Sequence, residues 1–589
     1  MVSSKWHVKN LSTKMAFLLA IIPAILTGIL ILKYAVNVPF WDQWPLASMF
    51  EKIYAGNLTF QDLISQHNES RKFFPRLLFI GMAYLTGWDV RYEMLVIFIL
   101  ACLVSFNIYR LSLLTVGGSR VTLLLLAFLS NLLIFSPIQW ENWLFGIQVV
   151  VFTPIACLTS CILAAYSNLS LRIKILIGIV LSTISTFSYA NGLLCWVLAF
   201  PAIALAKPKA WQELLKEKWL IVAWLVGFIS NTVLYFYDYK KPSYHPSFSE
   251  ALLHPIQALN YFLAFLGSPL AQNNLTIATI VGTILILTFI GLVLYLLKFW
   301  HQNNLLHRTT GWLTIAGYTL ISTAITTSGR LGFGVKQSLS SRYAIFAVYL
   351  AISLIYLAAI ILEDAETRKI ISRQNLALNR ILSSLLTILI FLHVITAGYG
   401  IKKMEDFQVS HYKGKACLVL INVVKDDDCL KRLWGDPNDA KVKVNVLNNM
   451  GFFKPKLLSS NKIEKSKGNQ VSGLDYGWLD GIARVDKDKY IAKGWAILPK
   501  KQKPADGVVL TYDNNQGEAI AFAIATPELK RKDVADALKK DEYLESGWEK
   551  LISIEKIPKQ AGKIKAWAVD ADTGKTFQLN GSGLVRSRA

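Results

Sequence analysis

Residues 15–44 read MAFLLAIIPAILTGILILKYAVNVPFWDQW. Between Lys14 and Lys33 no residue is charged, and a helix rising 1.5 Å per residue needs about 20 apolar residues to cross a hydrocarbon core about 30 Å thick. The run ends in Trp41-Asp42-Gln43-Trp44, with two of the tryptophans that mark the headgroup layer of a bilayer. This stretch predicts a membrane-anchored helix followed at once by a carboxylate at the membrane surface. Lys33 and Tyr34 follow the apolar core and no small-residue cleavage site is evident, so an anchor is expected rather than a cleaved signal peptide.

Composition extends the reading to the chain. Its 589 residues carry a formal net charge of +23, yet 53% are hydrophobic and 17% charged, against about 25% charged in an ordinary soluble domain. Charge is unevenly spread: 42 of the first 400 residues are charged, against 59 of the last 189. Nucleic-acid binders gather such positive charge on a polar face, and long apolar runs exclude that class here.

Eleven spans are expected, at Met15–Val36, Glu93–Leu114, Val121–Pro137, Leu144–Tyr166, Ile173–Tyr189, Asn191–Ala206, Trp219–Tyr237, Leu275–Lys298, Gly311–Ser328, Tyr343–Leu362 and Ile381–Gly400. Phe74–Gly87 and Leu259–Gln272 are apolar but short, as interfacial or re-entrant helices are. Lys5, Lys9, Lys14, Arg120, Arg172, Lys174, Lys207, Lys209, Lys216, Lys218, Arg308, Arg368, Lys369, Arg373 and Arg380 then fall on one side. Because Lys and Arg are retained on the cytoplasmic face, the N-terminus is expected inside and the C-terminus outside.

The predicted organisation is a transmembrane domain over residues 1–400 with a large outer loop at 37–92, an exported connecting segment at 401–472, and a β-sandwich at 473–589. A Lys- and Ser-rich linker, Leu458–Ser472, precedes the last part. There, short alternating runs at Tyr490–Ile497, Gly507–Tyr512 and Ile564–Val569 are separated by turn signals such as Asp513-Asn514-Asn515. Cys417 and Cys429 suit a disulfide in an oxidising compartment, two free thiols being the alternative. Cys102, Cys157, Cys161 and Cys195 lie within spans, as small apolar side chains.

The polar residues of the outer loops carry the chemistry. Asp42, partly desolvated by its position, is a general-base candidate; the alternative is a solvated loop carboxylate. Further along the first loop, Gln66-His67-Asn68-Glu69-Ser70-Arg71 is dense in groups able to bind a donor or acceptor sugar. The second outer loop is short, Ser136-Pro137-Ile138-Gln139-Trp140-Glu141-Asn142-Trp143, and holds Glu141 at the membrane surface, where an ionisable group is a functional candidate. An ion pair of Glu141 with Arg71 or Arg76 is the structural alternative. Later outer loops supply Lys240, Lys241, Arg330, Lys336 and Arg342, cations that oppose the positive-inside trend and suit a lipid phosphate. Tyr189-Ala190-Asn191-Gly192 either lines a sugar pocket through Tyr189 and Asn191 or is a tight hairpin turn. His245 and His254 stand isolated among loop residues and read as solvated. No Gly-rich phosphate loop, His-Glu-x-x-His or Gly-x-Ser-x-Gly is present, which argues against an ATP-driven pump, a zinc protease and a serine hydrolase.

An acid just after the first span, a long first outer loop with a short interfacial segment, and a second acid in the next outer loop resemble the integral-membrane glycosyltransferases of the GT-C fold, a group that includes protein O-mannosyltransferases and aminoarabinose transferases. The resemblance covers residues 10–400, and Arg342-Tyr343 resembles that group's Arg-Tyr step at the lipid phosphate. It implies inverting transfer of a sugar from a polyprenyl-phosphate donor to a glycan, lipid or protein acceptor on the periplasmic face of the inner membrane. Asp42 would be the general base, Glu141 would hold the acceptor or orient a basic partner, and Arg330, Lys336, Arg342 and Tyr343 would meet the phosphate. The single Asp in Trp-Asp-Gln-Trp, where some relatives have paired acids, argues against a bound divalent metal, and no cofactor is expected. Ala344-Ile345-Phe346 follows the Arg-Tyr step without the proline often found there. In the tail, Gly477-Trp478-Leu479-Asp480-Gly481, Gly494-Trp495-Ala496, Ser546-Gly547-Trp548 and Ala566-Trp567 resemble a β-sandwich module attached to bacterial glycosyltransferases, with the Gly-Trp pairs expected to pack the sandwich rather than bind sugar. The rival reading is a transporter or flippase of a lipid-linked glycan, which needs the same cations but no chemistry. The enzyme reading predicts that Asp42, Glu141 and Arg342 converge on one outer cavity within about 10 to 15 Å, room for a sugar and its phosphate.

Overall fold

The computed structural model describes residues 12–271, 273–300, 302, 304–371, 376–463, 475–486, 488–553, 555 and 563–584. Lys5, Lys9, Arg373, Gln272 and the linker beyond Ile463 lie outside the described residues. The chain divides into two compact units. The first comprises residues 1–35, 59–81 and 91–405; the second comprises 36–58, 82–90 and 406–589.

The first unit is helical. Among the described residues, eight helices are long and apolar enough to cross a membrane by length and composition: Thr13–Tyr34, Arg91–Thr115, Arg120–Leu144, Gly146–Tyr166, Lys218–Phe236, Leu275–Phe299, Ser341–Thr367 and Ser383–Val419, the last continuing into the second unit. A ninth is added if Ala190–Leu205 and Ala210–Lys216, bent by 105°, form one broken span. Eleven spans were expected. Each falls on a helix, and the count drops for physical reasons. Leu171–Thr186 and Leu194–Leu205 are only 16 and 12 residues long. Leu305–Arg330 has the length, 26 residues, but is rich in Thr and Ser. Several of its hydroxyls turn back on the helix, as in Thr310 to the Leu306 carbonyl at 2.7 Å and Thr314 to that of Thr310 at 2.9 Å, which lowers the cost of carrying them among apolar neighbours. The segments at Phe74–Gly87 and Leu259–Gln272 form the short helices Phe73–Thr86 and Pro255–Gly267.

Helix starts coincide with polar caps. Ser119 accepts from the Thr122 amide at 3.2 Å and Asn274 from that of Ile277 at 3.0 Å, satisfying amides that the first turn leaves unpaired. Thr13–Tyr34 packs on Arg120–Ile134 through Leu124 and the small residues Ala16, Ala20 and Ala127, which permit close approach where no hydrophobic effect drives helices together. At one end of the bundle Arg308 pairs with Glu363 and donates to the Thr115 carbonyl at 2.7 Å. The Gly117 amide donates to Glu363 at 3.1 Å.

In the second unit, residues 36–58 and 82–90 fold with the C-terminal part of the chain, although the sequence placed them in the membrane domain's first loop. Their aromatic side chains explain it. Phe50 packs against Trp88 at 4.9 Å and Phe452 at 5.5 Å, and the indole of Trp44 donates to the Leu433 carbonyl at 3.2 Å. Trp44, Phe50 and Trp88 are buried. Each stabilises this arrangement by a few kcal/mol through apolar area removed from water. Cys417 and Cys429 form a disulfide 12 residues apart in sequence.

Among the described residues, the C-terminal β region has two antiparallel sheets. One runs in the order Lys575–Gln578, Ile564–Asp570, Gly507–Asp513, Ala519–Ala525. In the other, Lys489–Leu498 lies between Gly477–Asp486 and Gly547–Ser553, with the short Lys503–Pro504 paired to its end. One core is shared by both: Leu479, Ala492 and Trp548 from one sheet meet Val508, Ala523 and Ala568 from the other, the layering of a β-sandwich. Glycine and tryptophan stand opposite each other across the strands, Gly494 against Trp548 and Gly547 against Trp495. A Cβ on Gly494 would lie 2.1 Å from the Trp478 carbonyl and 2.8 Å from the Trp548 ring. The buried indole of Trp567 donates to the Thr511 hydroxyl at 2.9 Å. Trp548 therefore fills the sandwich, Trp567 is buried on the opposite face of its sheet, and Trp478 remains 46% exposed.

Candidate functional site

The first unit concentrates polar side chains at one end of its helices. The hairpin Gln66–His67 and Ser70–Arg71 is closed by Asn68 and Glu69, with Asn68 at φ 52°, a left-handed position that asparagine tolerates better than most residues. Asn68 is held there by the Tyr244 hydroxyl, which donates to its Oδ1 at 2.6 Å. Gln66 exchanges hydrogen bonds with the Lys240 backbone, accepting at 3.0 Å and donating at 2.6 Å. The turn thereby presents Glu69.

Arg330, the last residue of Leu305–Arg330, donates from Nη2 to Glu69 Oε1 at 2.5 Å, and its Nη1 lies 2.9 Å from His245 Nε2. His245 Nε2 lies 3.9 Å from Glu69 Oε2. Glu69 and Arg330 retain 25% and 21% side-chain exposure, His245 only 9%. Burial lowers the His245 pKa and Arg330 lowers it further, against an opposing pull from Glu69. A neutral ring that accepts from the guanidinium fits this environment. The expectation of a solvated His245 is overturned: the ring is enclosed and bonded. His254 remains 53% exposed beside Glu250.

Tyr189 joins the same cluster from the turn before Ala190–Leu193. Its ring stacks on Phe346 at 5.8 Å. Burial raises its hydroxyl pKa and Glu69 and Tyr343 add to the rise, while Arg330 and Arg342 oppose it. Asn191 is buried in the turn itself. Gly192 is required there, because a Cβ would lie 1.8 Å from the Ser185 carbonyl oxygen. Tyr343 stacks on Phe265 at 5.3 Å.

Glu141 completes the arrangement from the short helix Trp140–Leu144. It accepts from the Ser341 hydroxyl and pairs with Arg342 Nε at 3.7 Å. The neighbouring Asn142 donates to the carbonyls of Ser341 at 3.3 Å and Arg342 at 3.4 Å. The loop that carries Glu141 and the Ser341–Tyr343 turn are thus fastened by side chain and backbone together. Arg342 keeps 49% side-chain exposure. Lys336 is exposed and, among the described residues, unpaired.

Two arginines named as partners for Glu141 are committed elsewhere. Arg71 donates to the carbonyls of Tyr235 at 2.7 Å, Ile64 at 3.0 Å and Tyr237. Arg76 donates to those of Asp62, Leu63 and Ser65. Both tie loop backbone, in keeping with the five fixed donors of a guanidinium. His67 is half-buried in the hairpin.

Asp42 belongs to the second unit. It lies in the turn Trp41–Gln43, half-buried, with the Trp41 amide donating to the Leu433 carbonyl at 2.9 Å and Phe40 packed on Phe407 at 5.2 Å. Of the three residues expected to converge, Glu141 and Arg342 are in contact in the first unit.

No protein-family model, no curated protein and no solved structure matches the chain. Function must therefore be argued from the site. Sequence reasoning found Glu69, Glu141, Arg330, Arg342, Tyr189 and Tyr343 but missed Ser341, Tyr244 and His245. Nothing in their local spacing marks them, since they join the cluster only through contacts far along the chain. The assembled groups are two arginines, each beside a carboxylate, with Tyr189 and Tyr343 within electrostatic reach of both.

Proposed function

We propose that the protein is a multi-pass membrane glycosyltransferase of GT-C type, moving a sugar with inversion from a polyprenyl-phosphate donor to a glycan, lipid or protein acceptor on the outer face of the cell membrane. The observation that supports this best is the gathering of Glu69, Glu141, Tyr189, Arg330 and Arg342 at one end of an otherwise apolar helical unit. In this reading Leu171–Thr186, Leu194–Leu205 and Leu305–Arg330 also cross the membrane, giving eleven crossings, a cytoplasmic N-terminus and a periplasmic β-sandwich.

The reaction breaks the bond between the anomeric carbon and the phosphate oxygen and forms a bond from that carbon to an acceptor oxygen. Negative charge grows on the departing phosphate. Arg342, exposed and steered by Glu141, and Lys336 would bind it, and Arg330, fixed by Glu69 and His245, would add its field. The acceptor hydroxyl loses its proton as it attacks; Asp42 keeps the role of general base on its position in the sequence. No nucleotide or metal takes part in these steps.

Purified full-length protein in detergent, given a polyprenyl-phosphate sugar and an acceptor extract, should transfer sugar. Asp42→Asn should cost about 10²- to 10⁴-fold in rate, and Arg342→Ala should raise the donor concentration needed. Near-normal transfer by Asp42→Asn would remove it as the base. A protein that moves lipid-linked glycan across sealed vesicles but transfers nothing in detergent would be a flippase.

A further inference from the structure

At the other end of Arg120–Ile134 from the Glu141 loop, a cavity of about 450 Å³ opens between the first turns of that helix and of Thr13–Tyr34. Lys14 and Arg120 line it together with Tyr109 and the apolar side chains Phe17, Leu18 and Leu124. Among the described residues neither Lys14 nor Arg120 has a hydrogen bond or an ion pair to a carboxylate. Two like charges are thus held at one cavity without compensation. Both also sit in helix first turns, where the backbone dipole already carries positive charge and a cation is disfavoured. Phe17 and Leu18 are 53% and 56% exposed, so the cavity continues into an apolar face of a helix that is long and apolar enough to span a membrane.

We propose that this cavity binds one anionic phospholipid of the surrounding bilayer, its phosphate between Lys14 and Arg120 and an acyl chain along Phe17 and Leu18. Charge complementarity selects the headgroup: a phosphate diester supplies the missing negative charge, whereas a zwitterionic headgroup brings its own cation to a site that has two. Basic pockets between membrane helices are a recurrent form of anionic-lipid recognition. The exposed apolar wall selects a lipid over free phosphate. A bilayer phospholipid is favoured over the polyprenyl-phosphate donor because the 15-residue helix puts about 22 Å between this cavity and the Glu141 end. The proposal stands on the membrane fold alone and does not depend on the transfer reaction.

Delipidated full-length protein in detergent would be titrated with dioleoylphosphatidylglycerol, dioleoylphosphatidylcholine and undecaprenyl phosphate, counting bound lipids by native mass spectrometry. One phosphatidylglycerol should bind saturably in preference to phosphatidylcholine. Lys14→Gln with Arg120→Gln should weaken that binding about thirty-fold, and each single change about five-fold, as expected for about one phosphate-facing cation each. Lys216→Gln, another exposed cation, should leave it unchanged. Equal binding of the two phospholipids, or the same loss in Lys216→Gln as in the double variant, would overturn the proposal in favour of general charge. Undecaprenyl phosphate bound more tightly than phosphatidylglycerol, and lost in the same variants, would overturn it in favour of the carrier lipid. The single variants decide the matter if the double variant does not fold.

Discussion

Breaking the Glu69–Arg330 pair tests the geometry of the candidate site without assuming a reaction. The perturbation is a double-mutant cycle of Glu69→Gln, Arg330→Gln and both together. Opposite unit charges 4 Å apart attract by about 4 kcal/mol at an effective dielectric of 20. Exposure of 25% and 21% lets solvent screen part of this, and the charge-assisted hydrogen bond at 2.5 Å has a net worth of about 1.5 to 3 kcal/mol. A coupling near 2 kcal/mol is therefore expected, about thirty-fold in an equilibrium constant, with each single variant losing more than the double variant adds. Because His245 stays neutral below its ordinary pKa, the coupling should be flat from pH 8 down to about 6.5. The assay is denaturant unfolding of full-length protein in detergent, followed by tryptophan emission. Additive effects, with coupling under about 0.5 kcal/mol, would mean that the pair does not exist as drawn.

His245→Asn should flatten part of the acid sensitivity of the first unit: a histidine with a lowered native pKa contributes stability above its unfolded value near 6.5 that is lost as pH falls below it, and an unchanged pH profile in the variant would contradict its enclosure. In the sandwich, Asp572 is held at a pKa of about 2 although burial pushes it up, because Lys415 and Lys501 pull it down. Its contribution is present above about pH 4 and disappears between about pH 4 and 2, and Asp572→Asn should shift acid unfolding upward in pH with a loss of about 1 kcal/mol at neutrality once solvent screening is allowed for. Gly494→Ala should destabilise the sandwich by about 3 kcal/mol, since the added carbon meets a backbone oxygen that cannot turn aside. A melting temperature equal to wild type would refute the close strand packing.

The helices were legible because apolar run length is a local property. Glu93–Leu114 was expected and Arg91–Thr115 is found. The crossing count was less secure, since Leu194–Leu205 is short and Leu305–Arg330 carries many hydroxyls, several of which it hides by bonding them to its own carbonyls. Within the site, charge opposing the positive-inside trend pointed to Arg330 and Arg342, and a cramped loop pointed to Glu141. Partner choice was not legible. Arg71 and Arg76 looked available to Glu141 from sequence, but each had loop carbonyls nearby to satisfy, and Arg342 took the carboxylate from 201 positions away. His245 gave no signal, because its burial depends on Glu69 and Arg330, both remote in sequence. Cys417–Cys429 was readable, being close in the chain and in a segment expected to be exported.

The hydrogen bond from Trp44 to Leu433 joins residues 389 apart. A ribosome adding about 5 to 20 residues per second needs about 20 to 80 seconds to make that stretch. For that interval Trp44 lacks Leu433 and Phe50 lacks Phe452, so the newborn chain displays an aromatic loop that its own late portion has yet to cover. A chain cut short before residue 406 should keep its membrane helices yet present this loop permanently, as a degradation signal in the surveillance of unfinished proteins.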